Sequence, residues 1–267
     1  MVEPQENPSL QPAKGEHHGE KIAISRCDAF LALQADGLLL RKFLRYSWTK
    51  VSHSAYSLSM AELITAAAMK RITAEVSAKD KKLAKIIESQ PLCTIGRNPK
   101  PVSHFEALVE SVISQQLAVK AAETIFLRVK GLAGGRVTPS SIAAVSESNM
   151  RTAGVSGAKF KTIQGLADAA LTKKIKINKL HEIEDDELVF NQLTSLWGIG
   201  PWTVDMFMMF QLGRLDIWPT GDLGVRRGWE KIYSLKDEIT PAELEKKGSK
   251  FAPYRSVVAW YCWRAIS

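Results

Sequence analysis

The stretch LWGIGPWTVDMFMMF (196–210) decides the fold. Ahead of it, Val189, Leu193 and Leu196 fall at helical spacing, which predicts a helix from about Asp185 or Asp186 to Trp197 with Gly198 placed to end it. Only Ile199 and Gly200 intervene before Pro201, a residue suited to the first position of a second helix. Two helices thus meet in a tight hairpin. Gly198 and Gly200 are expected to give the turn positive φ and to strip side chains from its surface, leaving backbone N–H groups facing outward at a helix start. Such an array suits an anion. A tight turn with packing glycines would give the same letters, so the surroundings must decide between the two.

Working outward, PTGDLGVRRG (219–228) sets one carboxylate, Asp222, between two glycines and just ahead of Arg226 and Arg227. As an N-cap, Asp222 would start a helix over LGVRRGWEKIY. On the other side, SHFEALVESVISQQLAVKAAETIFLRVKG (103–131) repeats apolar residues at Phe105, Leu108, Val109, Val112 and Ile113. Ser103 and Glu106 read there as a capping box. KKLAKIIES (81–89) is a helix stopped by Pro91, and short helices follow in TPSSIAAVS, ESNMRTAGVSG and AKFKTIQGLADAALTKK. No run of alternating β-branched residues occurs after Met60. The expected class is all-α.

The chain has 267 residues and a net charge of +8, which makes a polyanion a plausible partner for the hairpin. Cys27, Cys93 and Cys262 lie far apart without metal or disulfide spacing, which points to a reducing, intracellular compartment. The polar first 25 residues lack the apolar core of a secretory signal, and no stretch approaches a membrane span, so no membrane partner is expected. Residues 1–24 read as a tail in which His17 and His18 are solvated, and an amphipathic helix is expected over Asp28–Tyr46.

In combination the motifs resemble the helix-hairpin-helix DNA glycosylases that carry a Gly/Pro-rich loop and an essential aspartate, most closely the 3-methyladenine DNA glycosylase II branch. The resemblance rests on FEALVESVISQQLAVKAAETIFLRV, GVSGAKFKTIQGLA, LTSLWGIGPWTVDMFMMF, PTGDLGVRRG and YRSVVAWYCWR, in that order. It implies a two-lobed all-α fold with the active-site cleft between the lobes. A tail and unmatched helix would occupy 1–59 and a glycosylase domain 60–267, with 103–220 as the hairpin-containing lobe. It also implies hydrolysis of the N-glycosidic bond of alkylated purines, 3-methyladenine and 7-methylguanine, in double-stranded DNA, by a monomer in the cytoplasm, nucleoid or nucleus.

The same resemblance assigns residues. Asp222 matches the catalytic aspartate. At Trp202 the lyase members hold a nucleophilic lysine, so tryptophan implies a monofunctional enzyme with Trp202, Tyr254 and Trp263 as walls of the base pocket; a core position is the other reading of Trp202. Gln116 or Leu117 in SQQLA would be the wedge that fills the gap left by a flipped base, unless both continue the helix. Gly198, Gly200 and Thr203 would meet DNA, as would Lys159, with Lys161 beside it. Of Arg226 and Arg227 one is expected on phosphate, Arg226 by choice, and the other on an acid. Asp205 and Asp216 are expected to make structural hydrogen bonds. No metal or cofactor is implied beyond a monovalent cation on hairpin carbonyls. Two departures bear on substrate range: the first 60 residues are unmatched, and the histidine usual in relatives near Glu75 is missing. The competing reading is a non-catalytic module that holds damaged DNA.

Overall fold

The computed structural model describes residues 64–97 and 102–267. The tail, His17 and His18, and the helix expected over 28–46 lie outside the described residues. Within them every regular element is helical. None of these helices is long and apolar enough to cross a membrane.

The first two helices, α1 (Ala66–Lys79) and α2 (Lys81–Ser89), are separated only by Asp80. Its carboxylate caps α2 by accepting from the Lys82 and Leu83 N–H groups, and also accepts from Tyr233 Oη and Lys250 Nζ, both at 2.8 Å. Burial alone would raise this acid; the four donors outweigh it and lower it. One side chain therefore stops one helix, starts the next and ties both to the C-terminal part of the chain.

The segment 103–131, expected as one helix, is two: α3 (His104–Ser114) and α4 (Val119–Leu132). Between them Gln116 adopts φ 59°, a left-handed conformation that no helix continues through. The capping box is half formed. Ser103 Oγ accepts from Glu106 N, but the Glu106 carboxylate turns instead to Lys130 Nζ at 2.8 Å, where a full opposite charge is the stronger partner. Short helices α5 (Pro139–Ala143), α6 (Glu147–Ala153) and α7 (Gly157–Leu171) follow, capped by Thr138, Ser146 and Ser156. A 3-10 turn (Ile177–Glu182) leads to α8 (Asp186–Thr194) and α9 (Pro201–Phe210).

Helices α3 to α9 pack on one another to form one lobe, with α9 wedged between α3 and α8. The other lobe joins α1 and α2 to α10 (Leu223–Tyr233), α11 (Pro241–Gly248) and α12 (Arg255–Ile266). Its centre is the contact between α10 and α12, the most extensive of any helix pair. Gly228 makes it so close: a Cβ there would lie 1.9 Å from the Cys262 carbonyl oxygen. Beside this crossing the Asp216 carboxylate grips the Arg255 guanidinium through both oxygens, at 2.8 and 2.9 Å, the structural role expected of it. Cys93 and Cys262 are buried free thiols, and burial pushes the Cys93 thiol up to about 12.

Candidate active site

Asp222 caps α10, accepting from Val225 N at 2.8 Å through Oδ1. The N-cap reading is thus correct as far as it goes. The carboxylate is only 2% exposed, however, and it also accepts from two indole N–H groups. Trp263 Nε1 on α12 reaches Oδ1 at 2.9 Å, and Trp202 Nε1 on α9 reaches Oδ2 at 2.6 Å. A buried carboxylate without partners would cost several kcal/mol, and three N–H donors offset that by about 1.5–3 kcal/mol each. An N-cap alone needs one. The other two, from opposite lobes, hold a concentrated negative charge at the place where the lobes meet.

The indoles differ in what else they can do. Trp263 is 1% exposed, and its ring stacks on Phe210 with centroids 5.7 Å apart. So buried a ring presents no open face to a base: in this structure Trp263 anchors the acid and does not line an accessible pocket, which differs from the expectation. Trp202 is half-buried, so its ring keeps an open side while its N–H holds Asp222. Tyr254 precedes α12, half-buried against the core, and makes no hydrogen bond to Asp222.

At the hairpin, Gly198 adopts φ +80°, and a Cβ there would lie 2.0 Å from Thr162 Oγ1. Gly200 does not share that geometry. Its φ is −90° and a Cβ at this position would have no neighbour within 4 Å, so its contribution is a bare surface and not a left-handed turn. The N–H groups of Gly198 and Gly200 donate to no group among the described residues. Trp197, 55% exposed, stands beside this turn with Lys161 Nζ 4.3 Å from its ring centroid. Trp197 follows Leu193 by four residues, the spacing of a buried position, but α8 ends at Thr194, so the ring lies in the turn and outside the core, which spacing alone does not signal.

Three other expected DNA contacts face inward. Thr203 is 3% exposed, and its hydroxyl accepts from Gln115 Nε2 at 3.1 Å. Lys159 Nζ donates to the carbonyls of Ile113 and Gln115, both at 2.7 Å, because the end of α3 leaves those oxygens without helical partners. Arg226 Nη1 reaches the Ile239 carbonyl, while exposed Arg227 pairs with Glu230 and Glu238. Lys159 and Gln115 together brace the turn that carries Gln116, a role for Gln115 that nothing in its sequence context signals. Gln116 itself is exposed and Leu117 half-buried. Asp205, one turn along α9 from Trp202, accepts no hydrogen bond among the described residues, contrary to expectation.

An all-helical fold of two lobes, a bare-backbone hairpin and a buried aspartate between facing indoles define a helix-hairpin-helix base-excision protein. Residues 109–253 match the HhH-GPD superfamily of base excision DNA repair proteins, and the chain belongs to that family. It is 35% identical over 162 residues to DNA-3-methyladenine glycosylase 1 of Schizosaccharomyces pombe, covering 60% of this chain and 71% of that one. Its fold matches the DNA-3-methyladenine glycosidase of Bacillus halodurans at a TM-score of 0.64 and 34% identity, over 71% of this chain and 86% of that one. An S. pombe 3-methyladenine DNA glycosylase in complex with abasic DNA gives a TM-score of 0.64 at 29% identity, over 73% and 95% of the two chains.

Proposed function

We propose that this chain is a monofunctional glycosylase that hydrolyses the N-glycosidic bond of alkylated purines in duplex DNA. The observation that carries the reading is the buried Asp222 carboxylate held by three N–H donors beside the half-open ring of Trp202. A purine methylated on a ring nitrogen is cationic. When the C1′–N bond breaks, its electron pair neutralises the departing base, so no strong general acid is needed. The sugar becomes the cation, and a fixed carboxylate is what stabilises it. Trp202 offers an electron-rich face on which a cationic base can stack. With tryptophan at this position the hairpin has no amine to attack C1′.

The base must leave the helical stack first. The free N–H groups of Gly198 and Gly200, with Lys161 over Trp197, would hold the phosphates. Gln116 would fill the gap, since it is the exposed tip of a braced turn. A monovalent cation would sit on carbonyls of residues 196–199, none of which accepts more than one hydrogen bond among the described residues, and would add positive charge for a phosphate; no step depends on it.

Incubation with methylated duplex DNA is expected to release 3-methyladenine or 7-methylguanine, resolved by chromatography, with no borohydride-trapped complex. Binding without release from any alkylated lesion would make the chain a non-catalytic module instead. A second experiment separates the wedge from its backbone. Gln116→Gly accommodates φ 59° without the side-chain penalty, so the melting temperature should hold or rise while single-turnover base release falls about tenfold. Equal release by wild type and variant would move the role to Leu117 or remove it.

A further inference from the structure

The reaction proposed above produces a proton. A cationic base leaves neutral, the oxygen of water bonds to C1′, and one O–H bond breaks with its electron pair staying on that oxygen. Asp222 is poorly placed to collect the proton. Val225 N–H and Trp263 Nε1–H occupy Oδ1, and Trp202 Nε1–H occupies Oδ2 at 2.6 Å, so at least three of the carboxylate's four acceptor positions are taken.

A second carboxylate stands nearby. Asp205 is the one charged residue of α9, whose sequence PWTVDMFMMF is otherwise apolar or hydroxylated. Its place at i+3 from Trp202 puts both on one face of the helix. It is half-buried, and no donor among the described residues satisfies it, which is a costly position for a group with only a structural role. We propose that Asp205 takes up the proton of the attacking water while Asp222 keeps its charge for the sugar, a division of labour that rests on the glycosylase reading. The proton would pass from water oxygen to an Asp205 oxygen and from that half-exposed side chain to solvent.

The electrostatics agree. Burial and then the negative charge of Asp222 push Asp205 up to about 7. From α12 the titratable neighbour of Asp222 is Cys262, whose thiol is raised by burial and by the same charge, and no basic side chain of the described residues counters the effect on Asp205. An acceptor near neutrality can both take and release a proton at working pH.

The test is single-turnover base release from methylated duplex DNA between pH 6 and pH 8, corrected for spontaneous depurination. The wild-type rate should climb through a midpoint near 7 as Asp205 ionises. Asp205→Asn should lose that limb, matching wild type at pH 6 and falling about tenfold below it at pH 8, while Asp205→Glu keeps a limb. Asp205→Asn also removes the repulsion with Asp222, so its melting temperature at pH 8 should equal or exceed that of wild type. A merely structural role would lower the rate alike at both pH values. A variant profile parallel to wild type, or a wild-type profile flat from pH 6 to pH 8, overturns the proposal; the latter needs no variant to fold. Absence of base release by wild type at every pH would overturn the glycosylase reading itself, and the proposal with it.

Discussion

Asp222→Asn is expected to lower base release by about a hundredfold to a thousandfold while DNA binding stays as tight or tightens. The substitution preserves shape. Val225 N–H and Trp263 Nε1–H can still donate to the amide oxygen in the Oδ1 position, so the cap of α10 survives. In the Oδ2 position an NH₂ group would face Trp202 Nε1–H, donor against donor, where a 2.6 Å hydrogen bond had been. The fold should lose about 1 kcal/mol for that bond. The larger loss is in the reaction, because the fixed negative charge opposite the developing sugar cation is gone. Removal of a carboxylate near phosphates takes away repulsion, which is why binding should not suffer. The check is single-turnover release of 3-methyladenine or 7-methylguanine, alongside a binding titration on an uncleavable abasic analogue. Release within a few-fold of wild type would remove Asp222 from the mechanism.

Gly228→Ala should be the most destabilising single-methyl change in the C-terminal lobe. The new Cβ would lie 1.9 Å from the Cys262 carbonyl oxygen and 2.3 Å from its carbon. These are backbone atoms inside α12, so no rotamer change relieves the overlap and the two helices must separate. Overpacking of this kind costs about 3 kcal/mol or more, a fall in melting temperature of roughly 6–12 °C for a chain of this size. Trp263 follows Cys262 directly, so its Nε1 should be carried off Oδ1 of Asp222, and base release should fall even below the melting range. Gly165→Ala is the control. It lies within α7 with nothing within 4 Å of a Cβ, and should be neutral or stabilising by up to about 1 kcal/mol. Equal melting temperatures for the two variants would refute the close crossing.

Much of this site is legible in the letters alone. Helix starts carry their own chemistry: Thr138, Ser146, Ser156 and Asp222 all accept from N–H groups within the next turn, and Pro201 follows Gly200 as a first helical residue should. Such signals are local, acting over three or four residues, so the letters suffice. The hairpin and the acid emerge that way, and the resemblance attaches roles to them.

The residues whose roles differ from expectation share one property: their partners are distant in sequence. Lys159 reads as free for phosphate until the end of α3 presents two carbonyls to it, and Thr203 until Gln115 reaches its hydroxyl. Gln116 breaks an apparently continuous apolar pattern because the braced turn holds it left-handed. Trp263 reads as a pocket wall, yet folding buries its ring almost completely with the indole N–H on Asp222 Oδ1. Asp205 is the sharpest case. As letters in WTVDMF it has nothing to distinguish it from a structural acid, whereas folding strips it of partners and brings the Asp222 charge within reach.

The sequence by itself determined the helical class, most of the helix starts, the hairpin and the acid that follows it, because periodicity and capping are written in near neighbours; the break at Gln116 was not among them. Only the tertiary structure decided which polar groups are left with work to do, since that depends on which donors the two lobes bring to Asp222 and which they withhold from Asp205.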